Sequence, residues 1–178
     1  ISLKENNNEI LVKNLKLSEN FKIIDIENFS INYKNEKKIT NNLVLKKNKS
    51  NFIIEGESFD ASRMINDILD SDNDTQSIFE NLNSKIMVKI DKIYIDEVNY
   101  LNGLNGNIVY DNNKVNNLIL ESTFPNQKKI SLSIKTNNNA EIVTSLFSSY
   151  PKPLVERYDF IKGFEEGKLN FNSTKKGN

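Results

Sequence analysis

Acid–base chemistry in this chain falls to its carboxylates, because it contains neither histidine nor cysteine. Without an imidazole or a thiol there is no Ser–His or Cys–His activation of a nucleophile, and the commonest zinc ligands are missing. Paired carboxylates could still protonate a leaving group and activate water, as in glycoside hydrolysis. The pairs available are Asp25/Glu27, Asp96/Glu97 and Glu165/Glu166. All three sit on expected strands or in turns among polar neighbours and read as solvated charge, so no catalytic residue is assigned and the chain reads as non-enzymatic. Asp70, Asp72 and Asp74 have the spacing of the first half of a calcium loop, but Thr75 stands where glycine is required and Asn81 where a bidentate glutamate is required. That stretch reads as a polar linker, and no metal or cofactor is expected. Gly103-Leu-Asn-Gly106 has the form of an RNA-binding GxxG loop. No helix pair is expected around it, and it reads as a turn between strands.

The charge balance narrows the partners. The 178 residues carry 24 basic and 24 acidic side chains, which argues against a nucleic-acid partner. Arg63 and Arg157 are the only arginines, so forked recognition of phosphate is poorly supplied. The lysines at 34–38 and 46–49 read as protection of turns and strand edges. Apolar residues make up 37% of the chain, less than a two-layer sandwich needs and enough for a sheet with one greasy and one wet face. No run approaches the roughly 18–20 apolar residues of a membrane helix, and no signal peptide is visible. Opening at Ile1 and stopping just after an expected strand, the chain reads as an internal piece of a longer protein, with any membrane anchor outside it.

The elements that would position these groups are mainly strands. Phe29/Ile31/Tyr33, Ile86/Val88/Ile90, Ile130/Leu132/Ile134 and Leu169/Phe171 alternate with polar residues. Parity slips between Ile90 and Ile93, which predicts a bulge near Asp91-Lys92. Strands are expected near 29–34, 86–95, 107–111, 117–122, 129–135 and 168–173. Short helices are expected at 60–69, capped by Asp60, at 140–147, capped by Asn139, and from Pro153 to Ile161. Two stretches, 40–82 and 114–175, read as repeats of strand, strand and short helix. The fold class is mainly β: one module over 1–178, an antiparallel meandering, twisted open sheet with two or three short helices.

A resemblance sharpens this. The order of strand 130–134, short helix 140–147, Tyr158-Asp-Phe-Ile-Lys-Gly163 and Glu166-Gly-Lys-Leu-Asn-Phe171 resembles the AsmA-like superfamily, particularly its YhdP-type members. Lys89–Ile95, Leu101–Tyr110 and Glu57–Ala61 are similar to that family as well. The resemblance implies a taco-like β-groove, on the periplasmic face of a bacterial envelope, in a protein anchored in the inner membrane. Its role would be phospholipid transport between inner and outer membranes, or outer-membrane maintenance. The partners implied are phospholipid acyl chains and, at both sheet edges, the rest of the same polypeptide. The groove would be lined by Phe29, Ile31, Tyr33, Ile86, Val88, Ile90, Ile108, Tyr110, Leu118, Leu120, Ile130, Leu132, Ile134, Leu169 and Phe171. The alternative is a β-rich surface or adhesion module with a closed core. A membrane barrel fits less well, given the expected helices and weak aromatic girdles. From the absence of soft ligands and the incomplete calcium spacing, a chelator is expected to leave the melting temperature unchanged; calorimetry with and without it checks this.

Overall fold

The computed structural model describes residues 1–6, 8–63, 79–137, 139, 141–158 and 166–176. Eleven strands form one sheet in the order β1-β2-β5-β6-β7-β8-β9-β10-β11-β12-β13. They are β1 (Ser2–Glu5), β2 (Asn8–Lys13), β5 (Asn28–Lys34), β6 (Thr40–Asn48), β7 (Asn51–Asp60), β8 (Ser84–Tyr94), β9 (Tyr100–Asp111), β10 (Lys114–Thr123), β11 (Lys129–Thr136), β12 (Glu141–Ser148) and β13 (Leu169–Lys176). A two-stranded arm, β3 (Lys16–Leu17) with β4 (Ile23–Asp25), interrupts the meander. One helix, α1 (Lys152–Tyr158), stands between β12 and β13.

The sheet is mixed, mostly antiparallel as expected but not a pure antiparallel meander. Every neighbouring pair is antiparallel except β7–β8, which is parallel. A parallel pair needs a crossover between its strands, and the chain leaves β7 through Ala61 into a helical turn at Ser62 and Arg63. The remainder of the helix expected at 60–69, the Asp70–Asp74 linker, Glu165 and the Ile161–Gly163 end of the third helix lie outside the described residues.

The helix expected at 140–147 is a strand. Ile142, Val143, Leu146 and Phe147 would make one stripe on a helix, yet β12 pairs with β11 on one side and β13 on the other along its whole length. Ladder bonds on both edges and a β-branched run, Ile142-Val143-Thr144, outweigh a weak helical pattern. Asn139 lies in the preceding turn rather than at a cap. Asn137 organises that turn, its side-chain oxygen accepting from the backbone N–H of Asn139 and of Glu141, each at 2.9 Å. The second expected repeat unit therefore ends in a strand where the first begins a helical turn.

Gly103–Gly106 lies inside β9 and is not a turn. Its first glycine belongs to a device shared by three strands. Glu57 of β7, Asp91 of β8 and Gly103 of β9 have no cross-strand partner, while Gly56, Ile90 and Leu104 pair on one side of them and Ser58, Lys92 and Asn102 on the other. Each central strand thus carries one extra residue at the same level, and the three keep step with one another. The mismatch surfaces only at the borders, as register shifts between Asn42 and Leu43 of β6 and between Glu121 and Thr123 of β10. Gly103 takes a φ of 62°, a conformation glycine adopts without a steric cost. An extra residue turns the side chains over. Ile86, Val88 and Ile90 are buried below it, Ile93 and Ile95 above it, and all five belong to one core. The parity slip in the sequence is this extra residue.

The core lies on one face of the sheet. The β3–β4 arm brings Leu15, Ile23 and Ile26 onto it, joined by Phe79 and Leu82. The arm is fastened by a parallel bridge between Ile23 and Phe79 and by the N–H of Glu80 donating to the Ile23 carbonyl at 2.9 Å. Phe124, 1% exposed, closes the upper end of the core and meets Tyr150 edge to face, their ring centroids 5.3 Å apart.

A polar cluster locks the upper ends of β7 and β8 to α1. Arg157 donates to the carbonyl oxygens of Ile95 and, at 3.1 Å, Ser62, and lies 3.9 Å from Asp96. Asp96 accepts from the backbone of Val98 and Asn99 at 2.8 and 2.6 Å. Asp60 accepts from Asn35 at 2.7 Å and from the Ser62 N–H at 3.0 Å, while Asn41, 1% exposed, accepts from the Asp60 N–H. Burial pushes the Asp60 and Asp96 carboxyls up, but the donors around them outweigh it and hold both below the ordinary carboxylate value. Groups lowered in this way stabilise the fold fully once the unfolded chain's carboxylates are ionised, and lose that contribution as pH falls through the folded values. The melting temperature is therefore expected to drop steadily below about pH 4. Asp60→Asn and Asp96→Asn should melt lower at neutral pH and show a shallower acid slope, measured by circular dichroism.

Candidate functional site

Cross-strand pairing brings the expected groove residues onto one face and arranges them in rows across the strands. Val12–Phe29–Leu45–Ile54–Val88–Gly106–Leu120–Leu132–Leu146–Phe171 are successive direct partners from β2 to β13. Just before β1, Ile1 continues the row by exchanging backbone bonds with Val12 at 2.8 Å in each direction. At a spacing of about 4.8 Å, this row over eleven strands is about 48 Å long. A second row runs Leu3–Ile10–Ile31–Leu43–Gly56–Ile90–Leu104. A third runs Phe52–Ile86–Ile108–Leu118–Ile134. Tyr33, Tyr110, Ile130 and Leu169 keep the same side by strand alternation and by the pairs Tyr33–Asn41, Val115–Tyr110, Ser122–Ile130 and Ser148–Leu169.

The face is packed at its centre and accessible on its flanks. Ile86, Val88, Ile90 and Leu118 are buried. Phe29, Ile31, Tyr33, Ile108, Tyr110, Leu120, Ile130, Leu132, Ile134 and Leu169 are half-buried. Phe171, on the edge strand, is 49% exposed. Burial pushes the Tyr110 phenol up, which keeps it uncharged on this face.

Each of the two main rows contains one glycine, and both have a steric reason. A Cβ added at Gly56 would run into the Asn42 carbonyl oxygen of β6. One added at Gly106 would run into the Ile119 carbonyl oxygen of β10. In a flat sheet a Cβ stands clear of the neighbouring backbone. Here the β6 and β10 backbones come closer to the two glycines than a side chain allows.

Several members of the face were not legible as such. Leu104 was hidden by the reading of a turn, and Leu146 by the reading of a helix. Leu43, Leu45, Phe52 and Ile54 lie in apolar stretches with weak alternation, and only their partners show which of them share the face. Their signal was the spacing of Leu43 from Leu45 and of Phe52 from Ile54.

The carboxylate pairs are used structurally or are solvated. Asp25 is held low first by its bond to Lys47, whose Nζ lies 2.5 Å away. Glu27 accepts from the Asn14 side chain, Asp96 belongs to the polar cluster, Glu97 meets Lys37 at 3.1 Å, and Glu166 is exposed. Among the described residues no three acidic side chains converge to hold a metal ion. Where the β3–β4 arm crosses the lower end of β7 and β8, a cavity of about 380 Å³ opens, lined in part by Ile23, Asp25, Lys47, Lys49, Phe52, Phe79, Glu80 and Leu82.

No family model, curated protein or solved structure matches the chain.

The glycine geometry sets an order of stabilities. Gly106→Ala must push a strand backbone aside and is expected to cost about 3 kcal/mol, the upper end of overpacking. Gly103→Ala meets only the Asn105 side chain, at an ordinary 3.8 Å, and is left with the penalty of its positive φ, about 1 kcal/mol. Urea unfolding of both variants reads the difference.

Proposed function

We propose that this chain is a non-enzymatic β-module whose apolar sheet face carries acyl chains. It would be a segment of an AsmA-like, YhdP-type envelope protein that moves phospholipid between inner and outer membranes or maintains the outer membrane. The observation that carries the reading is the unbroken row from Ile1 to Phe171. A core needs apolar residues only where something covers them. Here the row reaches both sheet edges and stays accessible on the flanks. The close approach of the β6 and β10 backbones to Gly56 and Gly106 supports a concave, groove-like face. Such a face shields an alkyl chain from water without enclosing it, and the row runs in the direction a chain would travel.

The edges fit the same picture. β1 and β13 each present a free ladder side, with Leu3 and Phe171 on the apolar face. Further strands of the same polypeptide would lengthen the row at either end. In this reading the face looks into the periplasm, and the anchor in the inner membrane lies in other segments.

Transfer of a methylene from water contributes about 0.8 kcal/mol, so affinity for single-chain amphiphiles should rise about fourfold per added carbon. The test is photo-crosslinking from Leu132, on the row, and from Ser133, on the opposite face, in membranes carrying labelled phospholipid. Labelling at 132 and not at 133 is expected. Leu132→Asp should suppress transfer while Ser133→Asp should not, with melting temperatures confirming that both variants fold. Equal labelling at the two positions, or none at 132 in folded protein, refutes the groove and leaves the closed-core surface module, which the packed centre under Ile26 would then favour.

A further inference from the structure

The cavity beneath the β3–β4 arm shares Phe52 with the apolar face, and its mouth has a charge pattern that the acyl-chain reading does not explain. Its floor is Phe52, which pairs with Ile86 in the third row and lies two residues from Ile54 in the longest one. Phe52 thus places an apolar wall of the cavity in line with the rows, beside the polar side chains of Ser50, Asn81, Asn83 and Ser84. Its roof is held in place: Ile23 bridges to Phe79, and Leu82 exchanges bonds with Asn113, receiving from its N–H at 3.0 Å and donating to its side-chain oxygen at 2.6 Å. At about 380 Å³ the space lies within the range of small-ligand sites, about 300–1,000 Å³.

Four charged side chains line it. Asp25 and Lys47 satisfy each other at 2.5 Å. Lys49, on the β6–β7 turn with a φ of 58°, and Glu80, next to Phe79, have no ion pair among the described residues. The mouth thus offers one uncommitted cation and one uncommitted anion. A ligand bearing only a phosphate would satisfy Lys49 and be repelled by Glu80. A neutral head would shield both charges from water and pair neither, which is unfavourable. A head with a phosphate and an ammonium pairs both.

We propose that this cavity binds the headgroup of a zwitterionic phospholipid, with the phosphate toward Lys49 and the ammonium toward Glu80, while its acyl part lies on the rows. This rests on the acyl-chain reading of the face and adds to it a headgroup preference.

The test uses the purified chain and three amphiphiles sharing one saturated alkyl chain, titrated calorimetrically below their micelle concentrations. One carries a phosphoethanolamine head, one a phosphoglycerol head and one an uncharged maltoside. The phosphoethanolamine compound should bind about tenfold more tightly than either other. Lys49→Glu and Glu80→Lys should each remove the preference without lowering the melting temperature, and the double swap should restore it. Equal affinity for all three heads, or tighter binding of the phosphoglycerol or maltoside compound, overturns the headgroup site and leaves the acyl-chain reading standing. Binding of none overturns both.

Discussion

The extra residue shared by β7, β8 and β9 is the constraint on which the rest of this structure depends. A single inserted residue in one strand turns its outer half over and breaks the ladder with both neighbours. Three insertions side by side turn over three strands together, so Glu57, Asp91 and Gly103 leave the mutual register of the central strands intact. The misfit moves outward to β6 and β10 and is absorbed there as two register shifts. Because Ile93, Ile95 and Leu101 are thereby turned to the side of Ile86, Val88 and Ile90, one core runs the length of the sheet's centre.

That central distortion also governs the flanks. Gly56 and Gly106 lie on the face just below the extra residues, where the backbones of β6 and β10 leave no room for a Cβ. The β3–β4 arm and the segment after it cover the central apolar residues with Leu15, Ile23, Ile26, Phe79 and Leu82. The outer strands keep their alternation and their apolar residues, and they lack the cover. An apolar surface left accessible in this ordered way is a more informative feature than any single exposed hydrophobic residue.

Polar chemistry in this chain serves geometry. Arg157 ties α1 to the carbonyl oxygens at the ends of β7 and β8, and Asp60 and Asp96 each collect several donors in their turns. Asparagine does the same work elsewhere: Asn137 builds the β11–β12 turn, and Asn83 and Asn112 meet across two turns at the lower end of the sheet. These side chains give backbone groups in the turns a local partner.

Alternation marked six of the strands, β5, β8, β9, β10, β11 and β13, and it did so from local sequence alone. Phe29/Ile31/Tyr33 and Ile130/Leu132/Ile134 each name their own greasy side, since a strand's period is a property of its backbone. The slip between Ile90 and Ile93 likewise reported an extra residue without any knowledge of the partners. Three features could come only from the folded sheet. The parallel pairing of β7 with β8 is a long-range choice of neighbour. The strand at 141–148 wins over a helix because β11 and β13 bond both its edges, a contribution that its own residues do not carry. The rows themselves are products of register: which residue of one strand stands beside which residue of the next is set by turns, bulges and partners far apart in the chain. Periodicity tells each strand which way its side chains point, and only tertiary pairing aligns those directions into a continuous face.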